Sequence, residues 1–222
     1  REYHQRIYHP SNAHMLVYGN IPTQEYAEFL DERLKDFDRI DVHPIIDRQA
    51  RWSVPRRNEE GYPVGRDEPL AEKTYLLMNW LVGDATDAED LLGLSVLSKV
   101  LLGNEGAPLK KALVDSSLGQ DLIFSGLSPT GCEAAFRVGL QGSETDREEA
   151  FEKLALETLS SLADSDIDPD RVEAAFRQTA YHYREVQEHH PLHMLDRVLS
   201  AWIYDADPLT YSWDFGDGTT GE

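Results

Sequence analysis

Apolar and polar positions alternate most clearly in the middle of the chain. The run from Tyr75 to Val82 is too short to span a bilayer and is rich in large apolar and β-forming side chains, so it predicts a buried strand that Gly83 and Asp84 end. Between residues 91 and 102, leucine and valine recur mostly on one broad face of a helix, and Gly103 is placed to end it. We therefore expect a strand and a long helix at the centre of a folded domain.

Three helix starts are marked by capping residues. Thr86 with Glu89, and Thr145 with Glu148, have the three-residue spacing at which a hydroxyl and a carboxylate satisfy each other's unpaired helix N–H groups. Asp168 stands directly before a proline, the combination expected for an N-cap followed by a first helical turn. All three positions predict helix N-termini.

A short helix and a hairpin are predicted after the central helix. Pro108 opens an amphipathic segment from Leu109 to Asp115. Two strands follow, Asp121 to Leu127 and Glu133 to Gln141, and side chains alternate in character along the second. Pro129 to Gly131 makes the turn between them, so the two strands are expected to pair antiparallel.

Three further amphipathic helices complete this pattern. The first presents five large apolar residues at helical spacing: Phe151, Leu154, Leu156, Leu159 and Leu162. The second runs from Asp168 to Tyr183, and the third from Pro191 to Ile203. Strand pairs grouped with helices predict the α+β class, with a mixed or antiparallel sheet covered by helices.

The first 37 residues have the pattern of a single β–α unit. Met15 to Tyr18 predicts a strand that ends at Gly19, and Pro22 opens a helix whose apolar residues recur at helical spacing. One strand and one helix cannot cover their own apolar faces. We therefore expect residues 1–37 to be the least stable part of the chain.

Residues 38–69 interrupt the apolar periodicity. Arginine and proline are frequent in this segment, which indicates an extended connector with one strand near Ala50 to Val54. We place a domain boundary here. Residues 1–45 are then the last β–α piece of a first domain, and residues 46–222 are the connector and a second α+β domain.

The charge balance argues against nucleic acid and membranes as partners. The 222 residues include 21 Lys and Arg against 41 Asp and Glu, a formal net charge of −20, and such a surface repels phosphate backbones and anionic lipids. Cys132 is the single cysteine, which excludes an internal disulfide and a multi-cysteine metal site. With no targeting or membrane-spanning segment in view, we expect a cytoplasmic protein. Because the sequence does not begin with Met, we expect it to be a piece of a longer polypeptide.

The main candidate for metal chemistry is a histidine-rich junction. The sequence contains no H-x-x-E-H or H-E-x-x-H zinc motif and no G-x-S-x-G nucleophile elbow. The densest group of possible ligands comprises Glu188, His189, His190 and His193. Pro191 lies inside this group and restricts the conformation of His190, and a structural zinc site needs four ligands. A solvent-exposed helix junction is therefore the preferred interpretation, with metal binding as the alternative.

Two further motifs carry less information. Asp214 to Gly216 spells a kinase triplet without the other kinase motifs, and the acidic segment 214–218 resembles a calcium loop that lacks its final glutamate. The loop from Gly103 to Gly106 precedes a helix N-terminus, where anions bind, but it contains a carboxylate and no cation. We therefore assign no catalytic and no metal-binding residue, and leave the substrate-binding residues open.

Several short segments occur in an order that resembles a known family. The first is the sequence RIYHPSNA at residues 6–13, followed by a strand that ends in Gly19. The others are Tyr62 to Asp67, Met78 to Leu81, Leu101 to Gly103, Ala107 to Leu113, Leu118 to Gly119, Ser125 to Leu127 and Trp202 to Pro208. The similarity to which these segments belong covers nearly all of residues 3–209, in the same order. The ordered set resembles the pitrilysin/insulinase-type zinc metallopeptidases, and within them the presequence-protease branch.

The resemblance implies the α+β domain that is repeated in these peptidases. It also implies a parent protein that cleaves peptides with a zinc-activated water and a glutamate as general base. In the family, the H-x-x-E-H motif and a distal Glu ligand lie upstream of the YHPSNA-like segment, and an Arg/Tyr pair that holds the substrate lies far downstream. The resemblance thus places zinc and catalysis outside this chain. Asn104, Glu105 and Gly106 stand where small Ser/Thr-type residues are expected, so the role of that loop stays open.

The resulting prediction is a non-catalytic segment of a zinc metalloendopeptidase that degrades short unfolded or targeting peptides. This segment forms part of the chamber wall, is inactive alone, and has peptide substrates and the remaining domains of the same polypeptide as partners. The alternative is a scaffold or assembly subunit, derived from such a peptidase, that has lost zinc catalysis. A plain peptide-binding module is the third and weaker possibility. The sequence names neither the substrate nor the oligomeric state.

Overall fold

A four-stranded sheet lies at the centre of the computed structural model, which describes residues 2–42, 48, 50–130, 132–185, 190–203, 213–214 and 220–221. Its strands are β1 (Thr74–Asp84), β2 (Asp121–Leu122), β3 (Gly126–Thr130) and β4 (Glu133–Ser143). The long strand β4 is central, with β1 on one side and both short strands on the other, and every pairing is antiparallel. Two-residue strands β5 (Trp213–Asp214) and β6 (Thr220–Gly221) pair with each other.

Helices account for most of the remaining described residues. They are α1 (Glu2–Ile7), α2 (Thr23–Leu34), α3 (Ala88–Leu102), α4 (Pro108–Asp115), α5 (Glu148–Asp164), α6 (Pro169–Arg184) and α7 (His190–Ile203). The sheet and helices confirm the predicted α+β class. Among the described residues, no helix combines the length and the hydropathy needed to cross a bilayer.

The core lies between one face of the sheet and helices α3, α4 and α5. It consists of Leu76, Val138 and Leu140 from the sheet and Leu101, Leu109, Leu113 and Phe151 from the helices. Burying one such side chain contributes about 1.5–3 kcal/mol. The prediction that Leu156 belongs to the apolar side of α5 is wrong, because Leu156 is 43% exposed.

Two of the three predicted helix caps are wrong in detail. Asp168 is confirmed, since its side chain accepts a hydrogen bond from the Asp170 N–H at 3.0 Å. Helix α3 is capped instead by Asp87, while the hydroxyl of Thr86 donates to Asp84. A 3-10 turn begins at Thr145, so α5 starts later and has no side-chain cap. In both failures, a competing local turn replaces the capping geometry.

The predicted strand from 121 to 127 is divided in two. Phe124 has a positive φ of 50° and Gly126 has a φ of 114°, and neither value fits a continuous strand. The hairpin itself is confirmed, with Gly126 opposite Arg137 and Thr130 opposite Glu133. Strand β3 therefore continues through Pro129 and Thr130, and the turn lies later than predicted.

The strand predicted from Met15 to Tyr18 is absent. These residues have no regular secondary structure, and all four side chains are exposed. Strand-forming side chains do not create a strand without a neighbouring backbone to pair with. Helix α2 begins at Thr23 as predicted, and none of its residues is buried. The predicted strand near 50–54 is also absent, and those residues form an exposed connector. The boundary between residues 45 and 46 stays a prediction.

Candidate functional site

One face of the sheet carries no helix in the described part of the chain. Tyr75, Leu77 and Leu81 of β1 are 45%, 47% and 49% exposed, whereas Leu76 on the opposite face is 7% exposed. We call this surface the open face and define it by Tyr75, Leu77, Asn79 and Leu81 of β1 with Ala135, Arg137, Gly139 and Gln141 of β4. A row of exposed apolar side chains on an edge strand is typical of an interaction surface.

A polar pair stands at the centre of the open face. The register of β1 and β4 places Asn79 directly opposite Arg137, a position where side chains of neighbouring strands meet. Arg137 is half-buried and Asn79 is exposed. Neither side chain has a hydrogen bond or an ion pair among the described residues.

The sheet beside this pair is unusually tight. A Cβ on Gly139 would lie 2.3 Å from the Ile123 carbonyl oxygen and 2.5 Å from a methyl carbon of Leu77. The Ser125 hydroxyl accepts from the Gly139 N–H at 3.0 Å and lies 3.3 Å from the Gly139 carbonyl oxygen. Only glycine therefore lets Leu77 and the segment between β2 and β3 approach β4 from both sides.

An open polar cleft of about 210 Å³ adjoins the open face at the start of β1. It is lined by Tyr62, Glu72, Lys73, Tyr75, Gln120, Gln141 and Gly142. The Tyr62 hydroxyl donates to the Lys73 carbonyl, and the Tyr62 ring packs edge-on against Tyr75 with centroids 5.4 Å apart. The connector thus forms one wall of the cleft.

Two residues with positive φ shape the floor of the cleft. Glu72 has a φ of 57° and Gly142 a φ of 68°. The strained Glu72 is held at both ends, because its N–H donates to the Glu144 carboxylate at 2.7 Å and its own carboxylate accepts from the Gln120 amide at 2.8 Å. A Cβ on Gly142 would lie 2.6 Å from the Gln120 side chain, so glycine is required both for its φ and for space.

The one lysine of the cleft is already paired. Lys73 Nζ lies 2.5 Å from Glu68 Oε1. This hydrogen bond raises the pKa of Lys73, and together with the N–H of Gly65 it lowers the pKa of Glu68. Lys73 is therefore held in its charged form and is unsuited to act as a general base or nucleophile.

Arginines fasten the connector to the domain. Arg51 pairs with Glu133 at the start of β4 at 2.7 Å. Arg57 pairs with Glu148 at 3.0 Å and also with Glu152, both in the first turns of α5. Ion pairs, rather than the predicted strand, hold the connector against the folded domain.

A third connector arginine meets the end of β1. The pKa of Asp84 is lowered to about 2, chiefly by hydrogen bonds from the hydroxyl and N–H of Thr86 and then by Arg48. Arg48 lies 2.7 Å from this carboxylate, and the contact raises the pKa of Arg48. Both groups are thus charged throughout the physiological range.

The loop between α3 and α4 does not have the geometry of an anion site. The Gly106 N–H donates to the Asn104 side chain at 2.9 Å, and the Gly106 carbonyl accepts from Arg171 at 2.7 Å. Glu105 pairs with Lys110 at 2.6 Å. The polar groups of the loop are therefore satisfied within the loop and by Lys110 of α4 and Arg171 of α6.

The described residues do not fit a zinc site. They contain no group of three or more His, Cys, Asp and Glu residues that could hold a metal ion. Glu188 and His189 of the candidate histidine junction lie outside the described residues, as does most of the segment 214–218. Metal binding at these two places therefore stays an open alternative, and no chemistry is derived from zinc in this chain.

Comparison with known proteins assigns the chain to a family. Residues 1–179 match the family model of the peptidase M16 inactive domain. The chain belongs to this family. Among relatives, protein HypA of Clostridium perfringens is 32% identical over 214 residues, which are 95% of this chain and 22% of that protein. Presequence protease 1 of Arabidopsis thaliana, chloroplastic/mitochondrial, is 35% identical over 218 residues, 94% of this chain and 20% of that protein.

This peptidase M16 inactive domain spans about a fifth of the length of the curated relatives it matches. An M16-like peptidase structure from Alicyclobacillus acidocaldarius superposes with a TM-score of 0.49 and 16% identity, over 84% of this chain and 42% of that one. The family match and the presequence-protease relatives confirm the pitrilysin-type resemblance. They also support the broader expectation that this chain is an inactive domain of the kind found in a peptidase family.

The centre of the open face was not selected from the sequence. Alternation along β4 predicts that Arg137 lies on the face opposite to Phe136 and Val138. The alternation does not predict the register with β1, which places Asn79 opposite Arg137 and Leu77 beside them. Register depends on distant packing and is not visible in a single strand.

Proposed function

We propose that this M16 inactive domain is a non-catalytic segment of a zinc metalloendopeptidase that acts on short unfolded or targeting peptides. In this proposal the open face forms part of the wall of the peptide chamber. The proposal rests on a row of exposed apolar residues on β1, namely Tyr75, Leu77 and Leu81. They belong to a chain that matches the peptidase M16 inactive domain. Zinc and the catalytic residues then belong to other parts of the same polypeptide.

The geometry of β1 suits an extended peptide. Among the described residues, β1 pairs only with β4, so its outer edge offers backbone N–H and C=O groups. An extended peptide satisfies such an edge with backbone hydrogen bonds and places alternate side chains on the sheet. Leu77 and Leu81 supply the apolar contacts, and the cleft beside Tyr75 supplies polar ones.

Zinc content and peptide hydrolysis test the division of labour. This chain alone is expected to hold no stoichiometric zinc and to cleave no peptide, whereas the full polypeptide that the proposal requires should do both. Chelator-sensitive cleavage by this chain alone would overturn the assignment. A full polypeptide without zinc would instead favour the assembly subunit.

Peptide binding by the chain tests the role of the open face. Titration with a fluorescein-labelled decapeptide should show affinity that Leu81→Lys lowers about fivefold or more, because it places a charge in the apolar row. Leu97→Lys is the matched control, since Leu97 is 40% exposed on α3, away from the open face. Equal loss in both variants would contradict a peptide site on the sheet.

A further inference from the structure

Arg137 and Asn79 are cross-strand neighbours on the open face, and neither side chain has a hydrogen-bond or ion-pair partner among the described residues. Arg137 is half-buried, yet no carboxylate pairs with it among the described residues. We propose that Arg137 and Asn79 form a specificity subsite that takes the acidic side chain of an extended peptide with apolar side chains on either side of it. This inference rests on the proposed function and deepens it.

The charge distribution points to an anionic ligand. The chain carries a net charge of −20, and the eight residues that define the open face include one guanidinium and no carboxylate. The nearest carboxylates by register lie at the margins of this face, Asp121 of β2 opposite Gln141 and Glu133 at the start of β4, where it pairs with Arg51. The connector arginines Arg48, Arg51 and Arg57 all pair with carboxylates. Burying a charge without a partner costs free energy. Since no carboxylate of the described residues pairs with the half-buried Arg137, its guanidinium is complementary to a carboxylate supplied from outside.

Space around the arginine matches this ligand. Across β4, Arg137 lies between Asn79 on β1 and Gly126 on β3. Gly126 has no side chain that could cover its cross-strand neighbour Arg137, and the nearest atom to the position of a Cβ there is the Ser98 hydroxyl of α3 at 3.2 Å. A guanidinium binds a carboxylate through two parallel N–H donors, and the amide of Asn79 adds a third donor beside them.

The flanking residues favour an internal side chain over a peptide terminus. Leu77 and Leu81 stand two positions on either side of Asn79, on the same face of β1. At about 3.3 Å per residue, the two leucines are about 13 Å apart. A peptide that pairs with the edge of β1 and contacts both leucines must run past Asn79, which lies between them. The carboxylate that reaches Arg137 then comes from within the peptide, in the pattern apolar-x-acidic-x-apolar.

The test compares matched peptides on the intact chain. Two labelled decapeptides, amidated at the C-terminus, carry a central Leu-Ala-Glu-Ala-Leu or Leu-Ala-Gln-Ala-Leu core, and a third carries the Gln core with a free C-terminal carboxylate. Binding is measured by fluorescence anisotropy at 0.15 M salt, where long-range fields are largely screened. Any remaining long-range field of this chain, with its net charge of −20, would repel the acidic peptide and weaken its binding. The proposed contact with Arg137 has the opposite effect, so the two can be told apart.

We expect the Glu peptide to bind about fivefold more tightly than the Gln peptide, the range of a partly exposed charge-assisted pair. Arg137→Gln should abolish this preference without lowering affinity for the Gln peptide, and Arg137→Lys should retain part of it. Arg57→Gln is the matched control and should keep the full preference.

Every other outcome overturns either the subsite alone or the proposed function as well. Equal binding of the Glu and Gln peptides to the wild-type chain overturns the subsite and leaves the proposed function intact. A preference that survives in Arg137→Gln, or that Arg57→Gln also removes, places the contact elsewhere and overturns it. Equal gain from a free C-terminal carboxylate overturns the assignment to a side chain. If no peptide binds at all, the proposed function itself fails and the subsite with it.

Discussion

Replacing Gly139 by alanine tests the tight approach of the segment between β2 and β3 to the central strand. A Cβ at this position would lie 2.3 Å from the Ile123 carbonyl oxygen. This oxygen belongs to the backbone, which is anchored by the hydrogen bond from the Ile123 N–H to the Gly139 carbonyl at 3.0 Å. The backbone must therefore shift. Overpacking of this kind should lower the free energy of unfolding by about 1–3 kcal/mol.

Gly93→Ala is the matched control with the opposite expected sign. Gly93 is exposed in α3, and a Cβ there would meet nothing within 4 Å. Alanine should raise stability at this position by about 0.5–1 kcal/mol, since glycine is a poor helix former. Both substitutions restrict the unfolded chain alike, so their difference reports the native environments.

Urea titration followed by circular dichroism measures both changes, and heat unfolding should show about 2–4 °C per kcal/mol in a chain of this size. The tight approach at Gly139 would be refuted if Gly139→Ala unfolded at the same or a higher urea concentration than the wild type.

Three further predictions concern the core, the response to acid and the N-terminal segment. Leu109→Ala, at a fully buried position, should lower the free energy of unfolding by about 2–5 kcal/mol, whereas Leu156→Ala at a 43% exposed position should cost less than about 1 kcal/mol; denaturant titration compares them. Because the pKa of Asp84 is about 2 against an ordinary 3.8, its contacts stabilise the folded chain above pH 3.8 and are lost as pH falls through 2. Asp84→Asn should remove that part of the acid sensitivity from a series of melting temperatures. Amide hydrogen exchange should be faster in residues 23–34 than in 91–102, and equal protection would contradict a weakly stabilised N-terminal segment.

The sequence predicted best the elements that build the core from within the chain. Helix α4 begins at Pro108, as its first-turn proline indicated, and α6 is capped by Asp168. Helix α3 is predictable from its high apolar content, and the structure buries Val100 and Leu101 of it while Leu97 is 40% exposed. Leu156 is exposed because it lies five residues after Phe151, about 140° around the helix axis, whereas Ala155 lies on the buried side with Phe151.

Predictions failed where the outcome depends on a partner. Met15 to Tyr18 has strand-forming side chains but pairs with no strand among the described residues, so it stays irregular and exposed. Thr86 has the spacing of a capping residue, yet its hydroxyl bonds to Asp84, and Asp87 caps α3 instead. Propensity states which conformations a segment tolerates, while competing hydrogen bonds decide which one it adopts.

The composition of the open face follows from packing on the other side of the sheet. Val138 packs in the core on the helix side of β4 and pairs with Met78, while Phe136 packs against that core and pairs with Trp80. A shift of β4 by one residue would turn these apolar side chains to the open face and Arg137 into the core, where an unpaired charge is far more costly. The helices therefore fix the register, and the register brings Arg137 opposite Asn79. The proposed recognition of a peptide on the open face therefore depends on core residues that lie on the opposite side of the sheet.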